Sequence, residues 1–149
     1  MPKSGLYERD FYAWANEQAA LLRTGDLATA DIAHIAEEIE SMGKTEKREL
    51  VSRLIVLLTH LLKWQFQPER RGTSWEVSIA NTRDDLADHM ADNPSLKAQV
   101  GAAIATSYRR AYRQAVAETS LPKSTFPAAC PWSFEQMMDE SFWPEDRVS

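Results

Sequence analysis

Apolar residues recur along most of this chain at intervals of three and four, the spacing that lines them up on one face of an α-helix. Tyr7, Phe11, Trp14 and Leu21 fall at steps of 4, 3 and 7 and predict a first helix from about Tyr7 to Leu22. Thr24-Gly25-Asp26 closes it, because Gly25 can take the left-handed cap conformation. Ile32, Ile35, Ile39 and Met42 follow at steps of 3, 4 and 3 and predict a second helix that starts near Thr29 or Asp31. Leu50, Leu54, Leu57, Leu61 and Trp64 continue the pattern, and the phase from Met42 is kept if Glu46 takes the intervening place. The pattern allows one helix from about Ala30 to Gln67 or two hinged near Gly43, since an interior glycine costs only about 1 kcal/mol. Pro68 ends it either way, because an interior proline loses a hydrogen bond and clashes with the preceding turn.

Beyond the polar stretch Arg70–Thr73, Ser74 can cap a helix carrying Trp75, Ile79, Leu86 and Met90. Asn93-Pro94 reads as a cap followed by proline in the first turn, and it opens a helix to about Thr119 that buries Leu96, Val100, Ile104, Tyr108, Tyr112 and Ala115. Gly101 and the alanines around it predict a close helix-to-helix approach. Leu121–Trp132 holds Pro122, Pro127 and Pro131 and should cross the bundle as an extended strap, after which Ser133 caps a short last helix to about Asp139. No segment alternates with the period of a strand. The expected fold is therefore all-α: a single-domain helical bundle of five or six helices over residues 1–149 with a proline-rich C-terminal strap.

Composition adds limits. A chain of 149 residues, 44% hydrophobic, buries enough surface to hold a core without disulfides or metals. The single cysteine, Cys130, cannot form an internal disulfide, which fits a reducing, cytoplasmic setting. Met1 to Asp10 is mixed polar, so no secretory leader is expected there. The longest apolar stretch, Leu54 to Leu62, falls short of the roughly 20 residues of a membrane span, and no membrane partner is expected. The net charge of -5 argues against a nucleic-acid coat. That charge is an average, since Lys44–Arg71 carries seven positive and three negative residues while the end after Ser133 is acidic.

Certain strings are similar to a known family. Asp10-Phe11-Tyr12-Ala13-Trp14, then Glu37-Glu38-Ile39-Glu40-Ser41-Met42-Gly43, resemble the start of the bacterial family called domain of unknown function 29. The similarity continues through Leu57–Trp64 with Gln67-Pro68, Ser74-Trp75, Ala117-Glu118-Thr119, Phe126-Pro127, Cys130-Pro131 and Phe142-Trp143-Pro144. It spans about Tyr7 to Pro144 and implies an all-helical bacterial domain; it implies no activity and transfers no site residue.

Chemistry must then be read from the residues. No phosphate-binding glycine loop, nucleophile elbow, zinc-spaced cysteine and histidine set or calcium loop is present, and no cofactor is expected. Asp31 and His34 stand one turn apart, a single Asp version of the Glu-x-x-His pairs of di-iron bundles. If the chain folds back near Gly43 to Glu46, His60 comes level with them, and Asp31, His34 and His60 can form a metal site completed by His89 or Asp85; in a continuous helix they cannot meet. Glu37, Glu38 and Glu40 offer carboxylates for acid-base work but read first as a solvated face. Arg109 and Arg113 lie one turn apart beside Tyr108 and Tyr112, and Lys63, Arg70 and Arg71 surround Pro68; facing one groove, the two clusters could hold an anion or single-stranded nucleic acid, and otherwise they pair with Glu69, Glu118 or the acidic tail. Cys130 lacks a neighbouring base and reads as a small buried hydrophobe. The five tryptophans read first as core anchors; alternatively Trp132 and Trp143 with Phe142, borne on irregular chain, are candidates for an exposed aromatic interaction patch.

The leading expectation is a non-enzymatic interaction or accessory domain that works through its surface, with a protein partner or a second copy of itself. Phosphate or nucleic-acid binding by the arginine clusters stands second, and a metal-dependent or acid-base enzyme using His60 with Asp31 and His34 third.

Overall fold

A computed structural model of the protein describes residues 4–145. Met1 to Lys3 of the stretch read for a leader, and residues 146–149 of the acidic end, lie outside the described residues. The fold is all-α: six α-helices and three short 3-10 turns, with no strand among the described residues. None of these helices is long and apolar enough to cross a membrane. Within this α-helical domain packing groups the residues into two compact units, Met1–Thr45 and Glu46–Ser149.

The first unit contains α1 (Ser4–Arg9), α2 (Phe11–Arg23) and the beginning of α3 (Ile32–Phe66). The single helix expected over Tyr7–Leu22 is interrupted at Asp10, which leaves helical geometry (φ -150, ψ 83) and accepts a hydrogen bond from the Ala13 amide through its side chain. Aspartate competes for backbone donors in this way and so favours a cap over a helix interior. Gly25 takes the left-handed conformation (φ 77) expected of it. Among the described residues of this unit, only Trp14 and Ala30 are buried apolar ones. The apolar face of this part of α3 is open: Ile32 is 51%, Ile39 62% and Met42 67% exposed. Two short helices offer too little apolar surface to cover it.

Helix α3 runs unbroken through Gly43, so the one-helix alternative holds. Nothing lies within 4 Å of where a Cβ would stand on Gly43, so the helix bears only the glycine's propensity cost of about 1 kcal/mol there.

The second unit is built on the leucines of α3. Leu50, Leu54, Leu57, Leu58, Leu61 and Leu62 are fully buried and make a broad stripe, wider than a two-stranded seam. Against it pack Ile79 and Leu86 of α4 (Thr73–Asp92), Val100, Ala103, Tyr108, Ala111 and Ala115 of α5 (Val100–Thr119), Phe126 of the strap, and Met137 of α6 (Phe134–Met138). Helix α4 begins one residue before the expected cap Ser74, with Gly72 at the cap. The stretch after Pro94 is a 3-10 turn to Gln99, and α5 starts only at Val100. Gly101 does not mark a close helix approach, since the space around it is open. The strap crosses α5 as expected, pinned by Tyr108 Oη donating to Pro127 O (2.5 Å) and Tyr112 Oη to Lys123 O (2.7 Å). Ser133 caps α6 in a full capping box with Gln136.

Candidate functional site

In the first unit, α3 starts at Ile32, which makes Asp31 its N-cap: Oδ1 accepts the His34 amide at 3.4 Å. The other oxygen, Oδ2, takes two side-chain donors, Trp14 Nε1 at 3.1 Å and His34 Nδ1 at 2.7 Å. The Asp31 amide in turn donates to Gln18 Oε1 at 2.7 Å. Burial pushes the Asp31 carboxyl up, but the bonds from His34 and Trp14 outweigh it and hold the group below the usual aspartate value. Tyr7 stacks on the His34 ring (3.9 Å between centroids, 15° between planes) and donates its hydroxyl to Glu38 Oε2 at 2.5 Å. That bond pushes the Tyr7 hydroxyl up to about 12.

This arrangement fixes a tautomer. An ionised carboxylate only accepts, so His34 Nδ1 carries the proton and Nε2 is the nitrogen left to accept one. A carboxylate-held imidazole can bind or move a proton at Nε2 or serve as a ligand there. Among the described residues no serine or cysteine is hydrogen-bonded to this histidine, so the geometry supplies a base without a nucleophile. Because the folded Asp31 pKa lies below the unfolded one, its stabilising contribution is complete above the unfolded value and is lost as pH falls through the folded one. Trp14→Phe removes one donor, so the Asp31 carboxyl should titrate at higher pH and acid unfolding should begin earlier; an Asp31 carbon resonance that titrates unchanged in the variant would contradict this.

Of the expected metal set, Asp31 and His34 meet and His60 does not join them. The fold-back that would bring His60 level is absent, because α3 continues through Gly43. His60 belongs to the second unit, where its Nδ1 donates to Val56 O at 2.8 Å and burial pushes its pKa down. Glu37 and Glu40 are exposed and Glu38 is taken by Tyr7, so the acidic run forms no paired-carboxylate site. Sequence reasoning missed Tyr7, Trp14 and Glu38 as partners of the Asp31–His34 pair; only the packing of α1 and α2 against α3 brings them there.

In the second unit the five basic candidates separate. Lys63 is buried, pairs with Glu118 Oε1 at 2.7 Å and lies 5.0 Å from the Trp75 ring centre. Burial disfavours the Glu118 carboxylate, but the bonds from Lys63 and Gln114 hold its pKa below the usual range. Arg71 donates to Trp64 O (2.6 Å) and Pro144 O (3.3 Å), and Arg70 is exposed. Arg109 and Arg113 instead line a groove of about 600 Å³ along α5, with Ile104, Tyr108, Tyr112 and Cys130. Lys63, Arg70 and Arg71 do not line that groove. Burial pushes the Cys130 thiol up, away from the reactive thiolate.

For Trp132, Phe142 and Trp143 the burial favours the default reading as core anchors over an exposed aromatic patch. Trp132 packs edge-on to Phe142 (6.3 Å), and Trp143 packs on Trp64 (4.7 Å) beneath Arg83, all three half-buried. Proline-bounded chain leaves them no helix of their own, and Trp132 and Trp143 pack against the leucine core instead.

No curated protein and no solved structure matches this chain at a significant level. A family match does cover residues 6–143, nearly the whole length, and by it the chain belongs to the family described as Domain of unknown function DUF29.

Proposed function

We propose that this is an interaction domain that self-associates through its first unit, the occupant of the open α3 face being a second copy of the chain. The observation that carries the proposal is the exposure of Ile32, Ile39 and Met42, each more than half open although spaced as a packing seam. Half-buried Ile35 completes the a/d pattern, and Phe11, Tyr12, Leu22 and Leu27 add exposed apolar surface on the same unit.

Charge favours an antiparallel copy. Pairing centred between Glu40 and Ser41 sets Ile39 opposite the partner's Met42 and Glu37 opposite the partner's Lys44, with Ile35 and Ile32 falling opposite the partner's Glu46 and the partner's Glu49 at the ends of the seam. A parallel copy would set the Glu37–Glu40 run against its own image. A stable pair needs about 1,200–2,000 Å² of total burial, more than one helix stripe supplies, and the exposed Phe11, Tyr12 and Leu22 of α2 offer further apolar surface on the same unit.

Sedimentation over a concentration series tests this. The wild-type chain should form a dimer, and Ile39→Glu with Met42→Glu should weaken it by more than about 100-fold, since each anchor represents about 1.5–3 kcal/mol of apolar burial. A wild-type chain still monomeric near about 1 mM would end the proposal.

A further inference from the structure

The second unit holds a cluster that neither the sequence reading nor the self-association proposal uses. Glu46 and Glu49 stand one turn apart on α3, and His89 reaches them from α4. One ligand atom from each lies within 4.8 Å of the others. Three such groups on a surface would be unremarked if the histidine were solvated, but His89 is only 8% exposed.

The orientation of that ring points to a ligand. His89 Nε2 lies 2.8 Å from Glu46 O, a carbonyl that can only accept, so Nε2 carries a proton. A neutral ring then presents the lone pair of Nδ1 toward the Glu46 carboxylate, whose Oε2 is 3.7 Å away, beyond hydrogen-bonding distance. Two acceptors then face each other beside a buried ring, and a cation between them relieves the repulsion. A ring N–H given to a backbone carbonyl is also how metal-binding histidines are commonly fixed.

The carboxylates are held from behind. Glu49 Oε1 accepts from Arg53 at 2.6 Å, Arg53 is shared with Asp85 at 3.0 Å, and Asn93 Nδ2 lies 3.4 Å from Glu46 Oε2. Three carboxylates against one guanidinium leave a formal charge of -2, which a divalent ion neutralises. Donors about 2.0–2.2 Å from a shared ion are at most about 4.4 Å apart, so the cluster needs only a small closure. Glu46 and Glu49, 43% and 39% exposed at their side chains, can make it by rotation.

We propose that Glu46, Glu49 and His89 bind a divalent transition metal, with zinc the ion best suited to one imidazole and two carboxylates, and that the ion ties α3 to α4. Three protein ligands leave a fourth position for water.

The full chain, dialysed against EDTA and then against buffer, is titrated with zinc, manganese and cobalt chloride by calorimetry and by thermal melting. One ion per chain should bind, with a melting midpoint that rises with metal concentration. Glu46→Gln and Glu49→Gln, both at partly solvated positions, should each weaken binding about tenfold or more while the metal-free proteins still melt cooperatively. Cys130→Ser should bind as the wild type does. No binding of any of the three ions would overturn the proposal. Binding unchanged in both glutamine variants would overturn it as well, by placing the ion elsewhere.

Discussion

Leu58→Ala should lower the stability of the second unit by about 2–5 kcal/mol, whereas Val56→Ala, two residues away on the same helix, should cost well under about 1 kcal/mol. The two positions share a helix and a solvent environment in the unfolded chain and differ in what surrounds them when folded. Leu58 has no exposed surface and sits in the six-leucine stripe, while Val56 is 43% exposed. Removing three carbons from a closed site loses their transfer energy and leaves a cavity lined by residues that α4, α5 and the strap hold from several directions, so collapse is limited. For a chain of this size each kcal/mol moves the midpoint by about 2–4 °C, so the leucine variant should melt roughly 5–15 °C lower. Equal midpoints for the two variants would mean that the stripe is not the core.

That stripe was legible because it obeys one period without interruption. Leu50, Leu54, Leu57 and Leu61 follow from spacing alone, and Leu58 and Leu62 enter because a helix packed on several sides buries more than a narrow seam. The prolines were legible as boundaries for the same local reason. Continuity at Gly43 was not, since a penalty of about 1 kcal/mol is small beside the packing that follows it. The exposure of Ile32, Ile39 and Met42 was also illegible: periodicity tells which residues share a face, and only the supply of neighbouring elements tells whether the face is covered.

The candidate sites divide along the same line. The contact of Asp31 with His34 is local, one turn of helix, and could be read directly. Its supports Tyr7 and Trp14 come from α1 and α2, and no spacing rule links them to it. Glu46 did leave a trace, as a carboxylate standing in the phase of an apolar stripe between Met42 and Leu50. Such a position is half-buried by construction, and a half-buried carboxylate needs a partner. His89 comes to the same residue, bonded to its main-chain carbonyl, but it arrives from α4, 43 residues later.

Arg83→Met should destabilise the second unit by about 2–3 kcal/mol and loosen the chain from α6 to Trp143 before the rest unfolds. Arg83 is 3% exposed, and its Nε donates to Met137 O at 2.6 Å while Nη2 donates to Phe142 O at 2.7 Å. Two opposing effects decide the outcome. Methionine fills much of the same space and relieves the desolvation that pushes the guanidinium pKa down, a gain that has made some buried ion pairs replaceable by hydrophobes. Here, however, the partners are main-chain carbonyls that no substitution removes, and each left without a donor costs about 1–3 kcal/mol. Contact with the Trp143 ring, 5.4 Å from the guanidinium carbon, is lost as well. Two lost acceptors and a lost ring contact outweigh one relieved charge. Arg83→Lys should recover only part of the loss, because an ammonium cannot reach both carbonyls with the geometry of a planar fork. Amide exchange should show the difference at Met137 to Phe142 first, since α6 is only five residues long and depends on this arginine for its docking. If the methionine variant keeps both its midpoint and its exchange protection in that stretch, Arg83 is a passive filler, and the C-terminal chain is held by its packed side chains and by Arg71 at Pro144 O.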